Sequence, residues 1–182
     1  YRAPIFEGQV ENGNATGYCL RKGLNTSGSM QTTKESYTGC PIFRAAEAYL
    51  NYLEAYYMKN GNVTGKAAQY WRAVRERAGV DPDFTKTINA TDLSQETDWG
   101  KYSGGQVVDA TLLNIRRERR CELAIEGLRI YDIRRWKTIE TVLNGRPHGA
   151  KFAADNTQYI ELDARKFSKD RDYLFAIPQS QR

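Results

Sequence analysis

The 182-residue sequence lacks the features that identify several protein classes at once. No run of 18 apolar residues occurs, so nothing in the sequence predicts a membrane-spanning helix. Cysteine is scarce: Cys19, Cys40 and Cys121 are odd in number and lack the C-x-x-C spacing of zinc sites. We therefore predict that these cysteines are small buried hydrophobic residues, with no disulfide framework and no metal site.

Catalytic arrangements are also missing from the sequence. Glu118 and Glu122 lie on one helix surface, so they cannot flank a glycosidic bond from two sides. His148, in GRPHGAK, has no partner at the spacing of a catalytic triad or a metal site, and we predict a loop residue there. Gly104-Gly105 lacks the lysine of a phosphate-binding loop. We expect neither an enzyme nor a cofactor.

Aromatic and basic residues, in contrast, are abundant. The chain has twelve tyrosines, six phenylalanines and three tryptophans, and such residues pack helical interfaces or stack on flat ligands. Its net charge is +5 at pH 7 and its isoelectric point is near 9.1, a mildly basic balance. With 40% apolar residues, the chain is long enough for one domain of moderate size around a hydrophobic core.

Apolar periodicity predicts a helical hairpin within residues 40–80. The first helix runs from Pro41 to Met58, with the proline in its first turn, where a missing N–H is tolerated. The second begins after Thr64 as its N-cap and runs to Ala78. The predicted apolar arc of the first helix contains Ile42, Phe43, Ala46, Tyr49, Leu50, Leu53, Tyr56 and Tyr57. Because the connection is short, the two helices are expected to bury their apolar faces against each other.

The other segments have weaker or different patterns. We predict loops with a short strand at Gly17–Lys22 in residues 1–39, a loop at 81–108, a helix pair at 109–146 and an irregular tail at 147–182. Asp109 is the predicted cap of the third helix, the fourth runs from about Leu128 to Leu143, and the tail ends in the strand YLFAIPQ, 173–179. The fold class predicted is mainly α, with tetratricopeptide-like helical hairpins, irregular loops and short strands.

The stretch RRERRCELAIEGLRIYDIRRW, residues 116–136, has seven arginines and four acidic residues. On a helical wheel, Arg117 lies within the apolar arc of the third helix and Arg120 lies at its edge. Asp132 and Arg135 lie inside the arc of the fourth helix. A nucleic-acid-binding surface would place its arginines on a solvated face instead. The two arcs consist of Leu113, Cys121, Ala124 and Leu128 for the third helix, and of Leu128, Tyr131, Trp136, Ile139 and Leu143 for the fourth.

Arginines within an apolar arc need carboxylate partners, because an unpaired buried charge is very unfavourable. Glu47 and Glu54 on the first helix are available for this role. We predict a structural ion-pair network made of Arg117, Arg120, Asp132, Arg135, Glu47 and Glu54. The residues predicted to point outward, forming a modest patch for anions, are Arg116, Arg119, Arg134 and Lys137.

Several long motifs together resemble one protein family. They are GYCLRKG (17–23), GCPIFRAAEAYLNYLEAYY (39–57), AAQYWRAVRERAGV (67–80), NIRRERRCELAIEGLRIYDIRRW (114–136) and YLFAIPQ (173–179). In this order they resemble the carboxy-terminal half of SusD/RagB-type proteins over nearly the whole chain, 1–182. Ala176 departs from the family pattern, in which a second proline is common.

The resemblance implies a non-catalytic lipoprotein on the extracellular face of the outer membrane of Bacteroidota-type bacteria. Proteins of this kind bind oligosaccharides, or peptides in some branches, as nutrients, and deliver them to a SusC-like TonB-dependent transporter. The resemblance also implies a missing amino-terminal half of the same protein, which would carry the lipid anchor. Cys19 is not expected to be that anchor, since a lipidated cysteine opens the mature chain.

Asp98, Trp99 and Tyr102 are the candidate ligand-binding residues. An aromatic ring can lie flat against the C–H face of a sugar, while a polar neighbour reaches its hydroxyl groups. The alternative is that Trp99 packs on the helices. Two other function classes stay open. One is a basic helical-repeat module that binds nucleic acid, although no nucleic-acid partner is expected. The other is a purely structural module that contacts the transporter.

Overall fold

The computed structural model describes residues 22–23, 39, 41–143, 148–151, 158–161, 166–168 and 172–173. Its helices are α1 (Ala45–Asn60), α2 (Gly65–Arg77), α3 (Phe84–Asn89), α4 (Ala110–Glu122), α5 (Arg129–Arg135) and α6 (Ile139–Leu143). Its strands are β1 (Tyr102–Ser103), β2 (Gln106–Val107), β3 (His148–Lys151) and β4 (Gln158–Glu161). The mainly α fold class is therefore confirmed.

The chain forms two compact units. One contains the helices α1 to α6 together with β1 and β2, and the other contains β3 and β4. In the second unit, β3 and β4 pair antiparallel, with Gly149 opposite Ile160. His148 is the first residue of β3, so the prediction of a loop residue at this position is wrong.

The first helix begins later than the sequence predicts. Arg44 is its N-cap, with an extended backbone, and Ile42 and Phe43 are 82% and 87% exposed outside the helix. The Arg44 guanidinium donates to the carboxylates of Glu122 and Glu126, which ties residues 41–44 to the end of α4. Helix α1 therefore starts after this anchored residue, and Ile42 and Phe43 do not belong to its apolar arc.

The main core lies between α1, α2 and α4. Leu50 and Leu53 of α1 are fully buried, as are Trp71 of α2 and Ile115 of α4. The ring of Phe84 at the start of α3 stacks on Trp71 with centroids 4.3 Å apart. Burial of each large apolar side chain contributes about 1.5–3 kcal/mol, so this cluster is a main source of stability for the helical unit.

Helix α2 follows Thr64 as predicted and ends at Arg77. Ala67, Trp71 and Val74 are buried on this helix, but Ala78, where the predicted helix ends, lies past Arg77 and is exposed. The predicted hairpin of α1 and α2 is thus present, with its apolar faces in contact at the core.

Residues 81–108 contain more structure than the predicted loop. They include α3, whose N-cap Asp83 accepts a hydrogen bond from the Thr85 N–H, a single 3-10 turn at Trp99–Lys101, and the β1–β2 hairpin. Gly104 and Gly105 form the turn of that hairpin, both with positive φ, which glycine adopts without steric strain. These elements are too short to produce a periodic pattern in the sequence.

Helix α4 begins as predicted. The Asp109 carboxylate accepts hydrogen bonds from the N–H groups of Thr111 and Leu112 at 2.9 and 3.0 Å, which confirms the predicted N-cap. The helix ends at Glu122, and Cys121 in its last turn is exposed, so the prediction of a buried cysteine is wrong there.

The predicted fourth helix is two short helices. Helices α5 and α6 are separated at Trp136–Thr138, where Lys137 has a φ of 55°. Ile133, Trp136 and Ile139 are buried around this break, with Phe167 and Tyr173 packed against them. The break lets Trp136 point into the protein, where its ring meets arginine side chains of α4 and α5.

Several predicted features lie outside the described residues. These are Cys19, Cys40, most of the strand predicted at Gly17–Lys22 and most of the predicted terminal strand. Lys22 and Tyr173 are described, and each lies in a turn. Among the described residues, no helix has the length and apolar character needed to cross a membrane.

Candidate ligand-binding site

Arg116 holds the segment that contains the predicted ligand residues. Its side chain is only 2% exposed. Nη1 donates to the carbonyl oxygens of Gly100 and Tyr102 at 3.1 and 3.0 Å, and Nη2 donates to Ser103 Oγ at 2.7 Å. A guanidinium has five N–H donors in a fixed plane, so one side chain fixes three positions of the segment.

Asp98 lies beneath the same segment. Its Oδ1 accepts a hydrogen bond from the Gly100 N–H at 2.8 Å, and its Oδ2 lies 2.9 Å from Arg120 Nη1. A Cβ added at Gly100 would lie 3.3 Å from Asp98 Oδ1 and 3.8 Å from the Arg116 side chain, so this position has little space for a larger residue. Asp98 is buried and its carboxylate caps the 3-10 turn that begins at Trp99.

Trp99 and Tyr102 form an aromatic pair on this supported segment. Their ring centroids are 6.2 Å apart at an interplanar angle of 36°, and Trp99 is 45% exposed. The Lys101 ammonium lies 5.4 Å from the centroid of the Tyr102 ring. The Trp99 ring therefore has an accessible surface, while hydrogen bonds from α4 hold the backbone of the segment in place.

Glu54 of α1 is the centre of the polar cluster behind this segment. Its Oε1 accepts hydrogen bonds from Trp136 Nε1 at 2.8 Å and from Arg135 Nη1 at 2.9 Å, and Arg116 Nε lies 3.5 Å away. Burial alone would raise the pKa of Glu54, but the hydrogen bonds and positive charge of Arg135, with Trp136 and Arg116, bring that pKa below its ordinary value. Glu54 is thus held as a carboxylate inside the protein.

Asp132 is the second buried carboxylate of the cluster. Arg119 Nε donates to both of its oxygens at 2.8 Å, and Arg135 Nε donates to Oδ1 at 3.0 Å. The Trp136 ring lies among three guanidinium groups, with its centroid 4.3 Å from Cζ of Arg116, 5.0 Å from Cζ of Arg135 and 5.2 Å from Cζ of Arg129. These cation–π contacts complement the charge pairs.

The predicted ion-pair residues occupy different places. Glu54, Asp132 and Arg135 lie together in the cluster, and Arg120 pairs with Asp98. Arg117 lies at the surface of α4, where it pairs with Glu96. Within the described part of the chain, Glu47 has no ion-pair partner.

Arg116 and Arg119 are buried, so the prediction that they point outward is wrong. The predicted apolar arc includes Ala124 and Leu128, but α4 ends at Glu122, and neither residue belongs to this helix. The buried face of α4 is formed by Leu113, Asn114, Ile115, Arg116 and Arg119. Of the others predicted to point outward, Arg134 is half-buried and donates to the Asp172 carbonyl, and Lys137 is exposed.

Sequence reasoning also missed the roles of Trp136 and Glu118. The helical wheel places Trp136 in an apolar arc, although its Nε1 donates to Glu54. Glu118 accepts hydrogen bonds from Trp71 Nε1 and Arg75 Nη1, both at 2.8 Å. Arg119 follows Ile115 by four residues and so lies on the same face of α4, which is a signal in the sequence for its buried position.

No group of three or more His, Cys, Asp or Glu residues that could hold a metal ion occurs among the residues that the structure describes.

Comparison with known proteins gives one finding. A family model described as the SusD family matches residues 7–182 of the chain, which is nearly its full length. No curated protein and no solved structure matches the chain.

Proposed function

The chain belongs to the SusD family, and from this premise we propose that it binds oligosaccharides as nutrients without altering them chemically. Membership of the family points to nutrient or glycan binding by a non-catalytic protein associated with the outer membrane. We further propose that the protein lies on the extracellular face as a lipoprotein and delivers its ligand to a SusC-like TonB-dependent transporter.

The half-exposed ring of Trp99 beside Tyr102 is the observation that carries this proposal. A flat aromatic surface suits the C–H face of a sugar ring, because contact there removes apolar surface from water on both partners. Asp98 is buried, and its carboxylate accepts a hydrogen bond from the Gly100 N–H. We assign it the role of supporting the turn, and we assign contact with the ligand to Trp99 and Tyr102.

Rigidity of the segment supports the same role. Arg116 binds the carbonyls of Gly100 and Tyr102, and the Gly104 N–H donates to the Trp136 carbonyl at 2.9 Å. A surface held in place before the ligand arrives loses little conformational entropy on binding. The ion-pair cluster thus acts on function indirectly, through the position of the aromatic pair.

The test is isothermal titration of the full chain with a panel of neutral oligosaccharides at low and high salt. We expect one glycan class to bind with little dependence on salt, and Trp99→Ala to weaken that binding at least about tenfold. Tyr131→Ala is the matched control, since Tyr131 is 59% exposed on α5 and lies outside the proposed site.

Two results would count against the proposal. If no oligosaccharide binds to the folded chain, the proposed ligand class is wrong. If a sugar binds equally well to the parent chain and to Trp99→Ala, the ligand is held elsewhere on the molecule.

A further inference from the structure

Helices α2 and α5 end with the same hydrogen-bonded turn. In both, the N–H groups of the two residues after the C-cap donate to carbonyl groups near the end of the helix. The pairs are Gly79 to Glu76 and Val80 to Arg75 in α2, and Lys137 to Arg134 and Thr138 to Ile133 in α5. This is the Schellman motif, in which the first residue after the C-cap takes a left-handed conformation. The φ of that residue is 71° at Gly79 and 55° at Lys137.

Glycine is the residue that this position favours. A left-handed φ brings the Cβ of any other residue too close to the following carbonyl oxygen, and glycine has no Cβ. Gly61, which follows α1, has a φ of 69° and conforms to the same preference. Lys137 is therefore a strained exception. Strain of this kind is concentrated at functional sites, where it persists because the surrounding structure holds it.

Stability of the helix end does not explain the lysine at this position. Lys137 is exposed, and its ammonium group makes no hydrogen bond or ion pair with any residue that the structure describes. A cation near the end of a helix interacts favourably with the helix dipole, but Arg134 and Arg135 already lie in the last turn of α5. The side chain of Lys137 is thus available for a contact outside the chain.

The strained turn lies against the hairpin that contains Tyr102. The N–H of Gly104 donates to the carbonyl of Trp136 at 2.9 Å, and that carbonyl belongs to the peptide bond between Trp136 and Lys137. Tyr102 and Gly104 are two positions apart, so their Cα atoms are separated by at most about 7 Å. Lys137 is therefore beside the segment of the aromatic pair, within the length of a short oligosaccharide.

An exposed ammonium group supplies what the aromatic pair lacks. The rings of Trp99 and Tyr102 offer apolar surface, while the carbonyl groups of Gly100 and Tyr102 already accept hydrogen bonds from Arg116. Sugar hydroxyl groups need hydrogen-bond partners when they leave water, because an unpaired polar group is unfavourable there. A lysine ammonium has three donors on a flexible stem, so it can reach such hydroxyl groups in more than one orientation.

We propose that Lys137 contacts the ligand of the Trp99–Tyr102 pair and helps to determine its specificity. The ammonium group donates hydrogen bonds to hydroxyl oxygens of a sugar unit next to the one that lies on the aromatic rings. This inference rests on the proposed function, and it adds a second point of contact that a single sugar unit does not reach. The strained conformation is kept at this position because the side chain takes part in binding.

The experiment measures affinity and stability in the same variants of the full chain. Lys137→Gly removes both the backbone strain and the ammonium group, whereas Lys137→Met keeps the Cβ and the stem and removes the ammonium group alone. The probes are neutral linear hexaoses of glucose, mannose, xylose and galactose, titrated by calorimetry. Stability is measured as the Tm of thermal unfolding.

We expect both variants to bind the hexaose that the parent binds at least about fivefold more weakly, because hydrogen bonds from a charged donor are lost. Lys137→Gly is nevertheless expected to raise the Tm by about 1–4 °C, since the strain is relieved, and Lys137→Met lacks this gain. A residue with a purely structural role would not combine a higher Tm with a lower affinity. Lys66→Met, at an exposed lysine of α2, is the matched control and leaves affinity unchanged.

The inference alone is overturned if Trp99→Ala weakens hexaose binding while Lys137→Gly and Lys137→Met bind as the parent does. A loss of affinity in Lys137→Gly but not in Lys137→Met would also overturn it, because the backbone of the turn would then be the cause. An equal loss in Lys66→Met would do the same, since net charge rather than position would explain it. If no hexaose binds to the folded parent, this inference and the proposed function both fail.

Discussion

At the scale of single residues, Glu54 connects the hydrophobic core to the arginine cluster. It follows the fully buried Leu53 on α1 and accepts hydrogen bonds from Arg135 and Trp136. Removal of one partner from a buried ion pair is strongly destabilising, because the remaining charge is left without compensation in a poorly solvated site. Arg116, which also lies beside Glu54, would lose part of its compensation as well.

The first prediction concerns Glu54→Gln. We expect this change to lower the free energy of unfolding by about 3–5 kcal/mol at pH 7, as measured by urea denaturation. The control is Glu76→Gln, at an exposed glutamate of α2, which is expected to change stability by less than about 0.5 kcal/mol.

The loss of stability caused by Glu54→Gln is expected to depend on pH. The pKa of Glu54 is below its ordinary value in the folded chain, so its stabilising contribution is fully present above the unfolded pKa, about 4.3, and is lost as the pH falls through the lower folded value. The difference in stability between the parent and Glu54→Gln should therefore be constant near neutral pH and shrink below about pH 4. A difference that stays the same down to about pH 3 would contradict this account.

At the scale of secondary-structure elements, the connection between α4 and α5 is the part that departs most from regular helix. It contains Ile125 and Gly127, both with positive φ. Glycine adopts this conformation freely, whereas isoleucine does so at a cost of roughly 1–2 kcal/mol. Arg44 binds Glu122 and Glu126 on either side of Ile125, and these ion pairs help to hold the strained conformation.

The next prediction is that Ile125→Gly stabilises the chain. Relief of the backbone strain outweighs the greater freedom of glycine in the unfolded chain, so we expect a gain of about 0.5–1 kcal/mol in thermal or urea denaturation. Ile125→Ala is the matched control, because alanine keeps the Cβ and most of the strain. If alanine stabilises the chain as much as glycine does, the exposed apolar side chain rather than the backbone is the source of the effect.

At the scale of the whole molecule, the net charge of +5 is compatible with binding to a polyanion, but the positions of the arginines do not favour it. On α4, Arg117 pairs with Glu96, Arg119 with Asp132 and Arg120 with Asp98. An arginine that already binds a carboxylate must break that pair to neutralise a phosphate.

We therefore predict that fluorescence anisotropy with single-stranded oligonucleotides detects only weak binding with a shallow dependence on salt. A protein that contacts about 6–10 phosphates would lose about 10³–10⁵ in affinity between roughly 50 and 200 mM salt. A loss of that size would support a nucleic-acid-binding module and would count against the proposed uptake of neutral glycans.

Much of the fold can be predicted from the sequence because its signals are local. The hairpin of α1 and α2 follows from apolar periodicity, and Asp109 caps α4 through hydrogen bonds to residues two and three positions away. The family could also be recognised from long motifs in a fixed order, and the family model confirms it over residues 7–182. The need for carboxylate partners near arginines on apolar faces likewise follows from the sequence and the energy of buried charges.

The tertiary structure, in contrast, is needed to know which arginines are buried and which carboxylate each one binds. Arg116 reaches Glu54 and the backbone of the Trp99 segment, contacts that depend on where α4 ends and on how it packs against α1. When a helix ends a few residues earlier than its apolar pattern predicts, a different set of residues forms its buried face. Pairings between distant residues depend on side-chain positions to within about an ångström, since hydrogen bonds weaken steeply outside a narrow range of distance and angle. The periodicity of a sequence contains no information at that scale.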